Sequence, residues 1–292
     1  MKQVTKLVSR NLLVFFRDRL GVGMSLLSPA ILFLLYALFL GNQQVDALQG
    51  SFPLASQSDV TDFVNAWVFS GIVMMTTVTT GLQAMNTFVG DRVNNRFKDF
   101  LIAPVSRLQL VAGYLIAALI VALIISVAVF ALGQLYLSLS GQSSLSVSMA
   151  LETVGYIALS SFTFAAVTAF LTTFITSTSG FSALATVVGT VVGFLAGAFV
   201  PMGVLPEAVA TVISALPFAL SAMLLRGPLT TGALEVLAEG NTAAMDSVSE
   251  FYGITLTIGS YAPQVGPAIA AMVITAIVFL FASSLFLRRR IG

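Results

Sequence analysis

Long apolar runs without charged residues constrain the fold of this 292-residue chain more than any other feature. Charged residues make up 9% of the chain, against about 25% in an ordinary soluble domain. About 20 apolar residues cross the hydrocarbon layer as a helix, and lipid offers no partner to unpaired backbone groups. The sequence therefore predicts an all-α polytopic membrane protein. The six predicted transmembrane helices are Leu20–Leu40, Phe63–Val89, Leu108–Leu137, Leu151–Ile175, Phe181–Val200 and Pro267–Leu287.

The basic residues predict the orientation of these helices. Twelve of the 13 lysines and arginines lie before the first span, between the second and third spans, or after the sixth span. The opposite side carries acidic residues and a single arginine, Arg226. Because basic loops stay on the cytoplasmic side, we predict a multi-pass protein of the plasma membrane with both termini in the cytoplasm.

Residues 1–19 are predicted to form an amphipathic interfacial helix, which leaves 20–292 as the six-helix membrane domain. On a helical wheel the apolar side chains share one face and the basic side chains gather opposite. Such a helix lies in the headgroup plane of the lipid bilayer and is attracted to anionic lipid. The apolar face consists of Val4, Leu7, Val8, Leu12 and Phe15.

The segment 201–266 is too long for a simple connection between the last two spans. Pro201, Pro206 and Pro217 prevent a single 20-residue helix from forming between them. We predict a pair of short re-entrant helices on the outer face, followed by an acidic extracellular loop at 229–262.

The stretch 91–104 holds an unusual share of the charges of the chain. Its pattern predicts a short amphipathic helix on the cytoplasmic surface, which Pro104 ends. Phe97, Phe100 and Leu101 form the apolar edge of this helix, and charged residues surround them. A helix of this kind is suited to docking into a groove of a partner protein.

Polar side chains within the spans are candidates for lining a translocation pathway. Serine and threonine can instead bond a carbonyl one turn back, so Gln83 and Asn86 are the stronger candidates. Glu152, at the start of the fourth span, is the only charged residue within a predicted span, and none lies deep in one. This absence of buried charge favours an ATP-driven route over an ion-driven one and an apolar or amphipathic cargo. The full set of pathway candidates is Thr76, Thr80, Gln83, Asn86, Thr87, Ser161, Thr168 and Thr172.

Small residues recur at four-residue steps in the fifth span, at Ala185, Gly189, Gly193 and Gly197. This spacing allows helix backbones to approach closely in lipid. Either a contact between two copies of the chain or packing within one copy would explain it, and the sequence leaves both alternatives open.

The composition excludes several functions. The chain has no cysteine and no histidine, so it lacks thiol nucleophiles, imidazole bases and the commonest zinc ligands. We therefore predict no catalytic site and no metal site. The phosphate-binding pattern GxxxxGK[ST] of ATPases is absent too. We also expect no nucleic-acid partner.

Two motifs resemble the permease subunits of type-2 ATP-binding-cassette exporters. Asp91-Arg92 followed by "FKDFLIAPVSR" is similar to the run between the second and third helices of that family, although Val93, Asn95, Arg96 and Lys98 depart from it. The second motif consists of Gly197, Pro201, Leu205, Pro206, Pro217 and Arg226.

The resemblance implies an exporter permease that forms the pathway for a drug, lipid-linked or peptide cargo. It implies a separate nucleotide-binding ATPase subunit that binds ATP and Mg²⁺, no cofactor in this chain, and a second permease copy. An ATP-independent secondary carrier or channel is the alternative. In this family the stretch 91–104 would be the coupling helix that receives the motion of the ATPase. Its coupling residues would be Asp91, Arg92, Arg96, Phe97, Lys98, Asp99, Phe100, Leu101, Pro104 and Arg107.

Overall fold

The computed structural model describes residues 2–97, 105–139, 141, 145–195, 197–259 and 261–290. Within these ranges the regular elements are helices, with one isolated bridge between Ile258 and Tyr261. In the part of the chain that the structure describes, five helices are long and apolar enough to cross a membrane, or six if one bent pair counts as a single span. The prediction of an all-helical polytopic membrane protein is confirmed, and the count of six spans stays a prediction.

Helix α1 (Lys2–Arg17) is amphipathic, and α2 (Arg19–Ser25) follows it. The structure buries Leu7 and Phe15 on the predicted apolar face and exposes the lysines. This face packs against α7 (Arg107–Leu139). A Cβ atom on Gly113 of α7 would lie 2.7 Å from Leu7 Cβ, so the glycine permits the close approach of the two helices.

The first membrane helix runs further along the chain than its hydropathy predicts. It consists of α3 (Leu27–Leu35), a π-helical turn (Tyr36–Leu40) and α4 (Gly41–Ser51). Pro29 lies in the first turn of α3, where its missing N–H is tolerated. The predicted span ended at Leu40 because hydropathy detects only the apolar part of a helix. In the structure the helix continues through the polar residues of α4.

Helices α5 (Gln57–Ala84) and α6 (Asn86–Val93) form one long central span. In its most apolar window 83% of the residues are buried, against 17% for the last membrane helix. Helices α7, α8 (Val147–Thr172) and α11 (Pro217–Leu237) pack around it. The core of the protein therefore surrounds α5.

The region after the fifth predicted span differs from its prediction. Helix α9 (Thr178–Leu195) is shorter than the other spans, and a 3-10 turn follows at Met202–Val204. Helix α10 (Glu207–Ser214) is short as predicted, but α11 has 21 residues and meets α10 at 83°. Pro217 starts α11 where proline is favoured, and Pro228 is accommodated inside it.

Much of the predicted loop 229–262 is helical. Helix α11 extends to Leu237, and α12 (Thr242–Phe251) begins after the capping side chain of Asn241. The last membrane helix is α13 (Val265–Arg290). The predicted re-entrant path of α10 and α11 stays a prediction.

Candidate functional site

The basic end of the bundle, where α1, α6 and the start of α7 meet, contains a buried carboxylate. Asp91 lies in the last turn of α6 and is 2% exposed. The Tyr114 hydroxyl of α7 donates to Asp91 Oδ2 at 2.6 Å. From α1, Arg10 Nη2 donates to Asp91 Oδ1 at 2.9 Å, and Arg10 Nη1 pairs with Oδ2. Arg96 Nη1 adds a contact to Oδ1 at 3.2 Å.

These contacts satisfy the carboxylate from three directions. A buried charge is tolerated only when it is paired and hydrogen-bonded, and the two-pronged contact from Arg10 is the strong form of such a pair. The hydrogen bond to Asp91 raises the pKa of Arg10, which remains charged at physiological pH. We name Asp91 with Arg10, Arg96 and Tyr114 the basic-end junction, and it joins α1 and α7 to the end of α6.

The next residue connects α6 to a fourth helix. Arg92 Nη1 donates to the carbonyl oxygens of Thr173 at 2.9 Å and Ile175 at 3.0 Å. These carbonyls follow the C-terminal end of α8, where backbone acceptors lack partners within the helix and a positive charge is favoured. Asp91 and Arg92 together therefore fix the end of the central helix to α1, α7 and α8.

The chain turns immediately after α6. Asn95 has a φ of 56°, in the left-handed region that asparagine tolerates better than most residues. After the turn the Phe97 ring packs against Phe88 at 5.3 Å and Tyr114 at 6.2 Å between ring centroids. Phe97 is half-buried against the core of its own chain and does not lie on the exposed edge that the sequence predicts.

Most of the other predicted coupling residues lie in a part of the chain that the structure does not describe. Lys98, Asp99, Phe100, Leu101 and Pro104 lie outside the described residues. Arg107 begins α7, and its side chain is also outside the described part of the protein. A coupling role for 91–104 stays a prediction.

Most of the predicted pathway hydroxyls are buried inside one copy of the chain. Thr76 and Thr80 donate to the carbonyls of Ile72 and Thr76, one turn back in α5. The buried threonines of α8, Thr168 and Thr172, also bond carbonyls of their own helix. Ser161 Oγ is buried without a hydrogen-bond partner among the described residues. The three remaining candidates are partly buried: Gln83, Asn86 and Thr87.

The glycines of α9 are used for packing within the chain. A Cβ atom on Gly189 would lie 2.5 Å from Ser28 Oγ, and one on Gly193 would overlap the Phe199 ring. Gly197 lies two residues after the end of α9 and has a φ of 62°, which favours glycine. These contacts favour the alternative of packing within one copy, while a dimer contact through α9 stays a prediction.

The sequence did not predict the role of Arg226. This side chain of α11 is 1% exposed and donates to the carbonyls of Gly197 at 2.8 Å and Gly253 at 3.1 Å. Its guanidinium carbon lies 5.3 Å from the centre of the Trp67 ring. The available signal was a lone arginine on an otherwise acidic side of the protein. The sequence also did not predict the ion pair between Arg10 and Asp91. Its only indication was that a carboxylate, Asp91, directly follows an apolar span.

One comparison with known proteins identifies a relationship. A family model described as "ABC-2 family transporter protein" matches residues 40–285, which include Asp91, Arg92 and Arg226 but not α1. No curated protein matches the chain.

Proposed function

This chain belongs to the ABC-2 family of transporter proteins, and we propose that it is the permease subunit of an exporter driven by ATP hydrolysis in a separate chain. The family consists of membrane transport subunits that normally work with an ATPase subunit. The proposed partner is a nucleotide-binding ATPase that carries ATP and Mg²⁺. The proposed cargo is apolar or amphipathic, a class that includes drugs, lipid-linked molecules and peptides.

The basic-end junction is the observation that carries this proposal. Asp91 and Arg92 join the end of α6 to α1, α7 and α8 through charged hydrogen bonds. In the sequence, residues 94–106 connect the end of α6 at Val93 to the start of α7 at Arg107. A push on that segment would move a braced set of helices together, because the ion pair and the aromatic contacts of Phe97 resist independent movement.

The proposed orientation places the basic end in the cytoplasm, where an ATPase has access to it. The twelve basic residues other than Arg226 lie in segments at this end, which supports the orientation. The proposed location is the plasma membrane, with both chain termini inside the cell.

A second permease copy, identical or related, completes the proposed pathway. Helix α9 has an exposed apolar face that includes Val187, Val191 and Phe194. This face supports contact between copies better than the glycines do, because the glycines already contact residues of their own chain. Gln83 and Asn86 remain candidates for lining the route.

The test is transport into inverted membrane vesicles that contain the permease and its proposed ATPase partner. We expect cargo uptake that requires ATP and is lost when the phosphate-loop lysine of the ATPase is replaced. The permease variant Asp91→Asn should retain ATPase binding but lose most transport, because the junction no longer holds α1 and α7 to α6. Uptake that continues without hydrolysis would indicate the secondary carrier or channel instead.

A further inference from the structure

The end of the bundle opposite the junction contains a groove of about 990 Å³. One wall consists of residues 40–55, which include the end of the π-helical turn, α4 and the turn after it. Residues 199–204 and 237–252 form the other wall. We name this feature the outer groove. Its volume falls at the upper end of the range that suits a small organic ligand.

Hydrogen bonds hold the walls of the outer groove in place. Tyr36 donates its hydroxyl to the Phe199 carbonyl at 3.1 Å, and Trp67 Nε1 donates to the Tyr252 carbonyl at 2.8 Å. The Tyr252 hydroxyl crosses to Gln44 Oε1 on the opposite wall at 3.2 Å. Arg226 holds the carbonyls of residues that adjoin both segments of the second wall. The groove is therefore preformed, which lowers the entropic cost of binding.

The π-helical turn of the first membrane helix ends at the groove. Leu40, its last residue, lines the groove, and Tyr36, its first residue, braces Phe199. A Cβ atom on Gly41 would lie 2.6 Å from the Tyr36 carbonyl oxygen, so glycine is needed where the turn ends. Turns of this kind inside α-helices occur frequently at functional sites.

The lining of the groove combines aromatic surfaces with one carboxylate. Phe52, Phe199 and Phe251 contribute rings, and the faces of such rings attract cations. Glu239 is the only carboxylate among the described lining residues, which include neither lysine nor arginine. It has a φ of 49°, an uncommon conformation for glutamate that places it at the turn between α11 and α12.

The surroundings of the groove strengthen its preference for positive charge. Asp46 on α4 and both Asp246 and Glu250 on α12 are exposed on the helices that form the walls. The nearby cation Arg226 is 1% exposed and directs its donors to backbone carbonyls. A cleft bordered by one sign of charge concentrates ligands of the opposite sign.

We propose that the outer groove binds lipophilic organic cations, with the apolar body between the aromatic walls and the charge toward Glu239. Resting on the proposed function, these cations are a cargo class that leaves the transporter through this groove. Binding itself needs neither ATP nor the ATPase, so the site and the transport function can fail separately.

The test uses the full-length permease in nanodiscs of zwitterionic lipid, with empty nanodiscs as the background. The probes are tetraphenylphosphonium and tetraphenylborate, which have nearly the same shape and opposite charge. We expect saturable binding of the cation that weakens with added salt, and much weaker saturable binding of the anion. Glu239→Gln should weaken cation binding about fivefold, the effect of losing one exposed charge pair.

Two further variants separate the site from nonspecific effects. Glu235→Gln removes an exposed carboxylate one turn earlier on α11, outside the groove lining, and should leave the affinity nearly unchanged. Ala47→Trp fills the groove from the exposed side of α4 and should abolish saturable binding while the protein elutes normally from a sizing column.

Two results would overturn the proposal. Cation binding that survives Ala47→Trp unchanged would place the ligand elsewhere. Equal binding of both probes, with no effect of Glu239→Gln, would show an apolar groove without charge preference. If the cation binds as described but the complex with its ATPase does not transport it, the binding site stands and its transport role falls.

Discussion

The two ends of the helix bundle place their carboxylates in opposite surroundings. Asp91 at the basic end is 2% exposed and accepts hydrogen bonds from two arginines and a tyrosine. Glu239 at the other end is exposed at the edge of a preformed groove. The first carboxylate holds helices of the same chain together, whereas the second is accessible to a ligand.

An arginine anchors each end, and the two arginines differ in what they bind. At the basic end Arg10 binds a carboxylate and so joins two helices through charge. At the groove Arg226 binds two backbone carbonyls and so fixes the shape of the walls without neutralising their charge. This difference supports the two proposals, that the basic end transmits force and that the groove receives a ligand.

The largest effect is expected when the buried carboxylate of the junction is removed. Asp91→Ala removes the carboxylate that accepts hydrogen bonds from Arg10 and Tyr114, and breaking a buried ion pair costs about 3–5 kcal/mol. Because Arg10 is 30% exposed, we expect the lower end of this range. The free energy of unfolding, measured with denaturant in detergent, should fall by about 3 kcal/mol. Asp246→Ala, at an exposed position of α12, is the control and should cost less than about 0.5 kcal/mol. Equal losses for both variants would remove the distinction between the two ends.

A smaller loss is expected at the wall of the groove. Gly253 has a φ of 66°, and a Cβ atom there would lie 2.7 Å from Arg226 Nη1 and from Met202 Cγ. Gly253→Ala combines backbone strain with this overlap and should lower the free energy of unfolding by about 2 kcal/mol. Gly259 has a φ of 64° but open space around it, so Gly259→Ala should cost about 1 kcal/mol from strain alone. Thermal unfolding of the two variants compares them directly, and identical losses would mean that Arg226 does not fix this wall.

The smallest effect concerns the aromatic edge of the junction. Phe97 is half-buried against Phe88 and Tyr114, so Phe97→Ala should cost about 1.5 kcal/mol of stability even without any partner. Val93→Ala, at an exposed position of α6, should cost much less. If Phe97→Ala keeps full stability but loses the ATPase, the ring serves the partner alone and the junction ends at Tyr114.

Hydropathy predicts much of this fold because each membrane helix must be apolar along most of its length. The predicted spans therefore overlap α5, α7, α8 and α13. Helix α11 was not predicted as one long buried helix because Pro217 was interpreted as a break and residues 229–262 as a loop. In the structure Pro217 starts the helix, which continues past Arg226 to Leu237. The structure compensates for the arginine with carbonyls of residues 197 and 253, which are distant in sequence.

The candidate site was predictable only in part for the same reason. Asp91 and Arg92 were identified by a local motif, whereas Arg10 lies 81 residues away from Asp91 and reaches it only because α1 packs on α7. The inward position of Phe97 depends on the left-handed turn at Asn95, which an amphipathic pattern does not reveal. The outer groove joins segments about 200 residues apart, so no local pattern could predict it.

The most direct test of the contrast between the two ends is their accessibility in intact cells, since the junction must face the cytoplasm and the groove the outside. The chain contains no cysteine, so single cysteines at Asn94, beside the junction, and at Ala243, on α12 beside the groove, provide unique labels. An impermeant thiol reagent should label Ala243→Cys in intact cells, and Asn94→Cys only after the membrane is opened. Labelling of Asn94→Cys in intact cells would contradict the orientation on which both proposed roles depend.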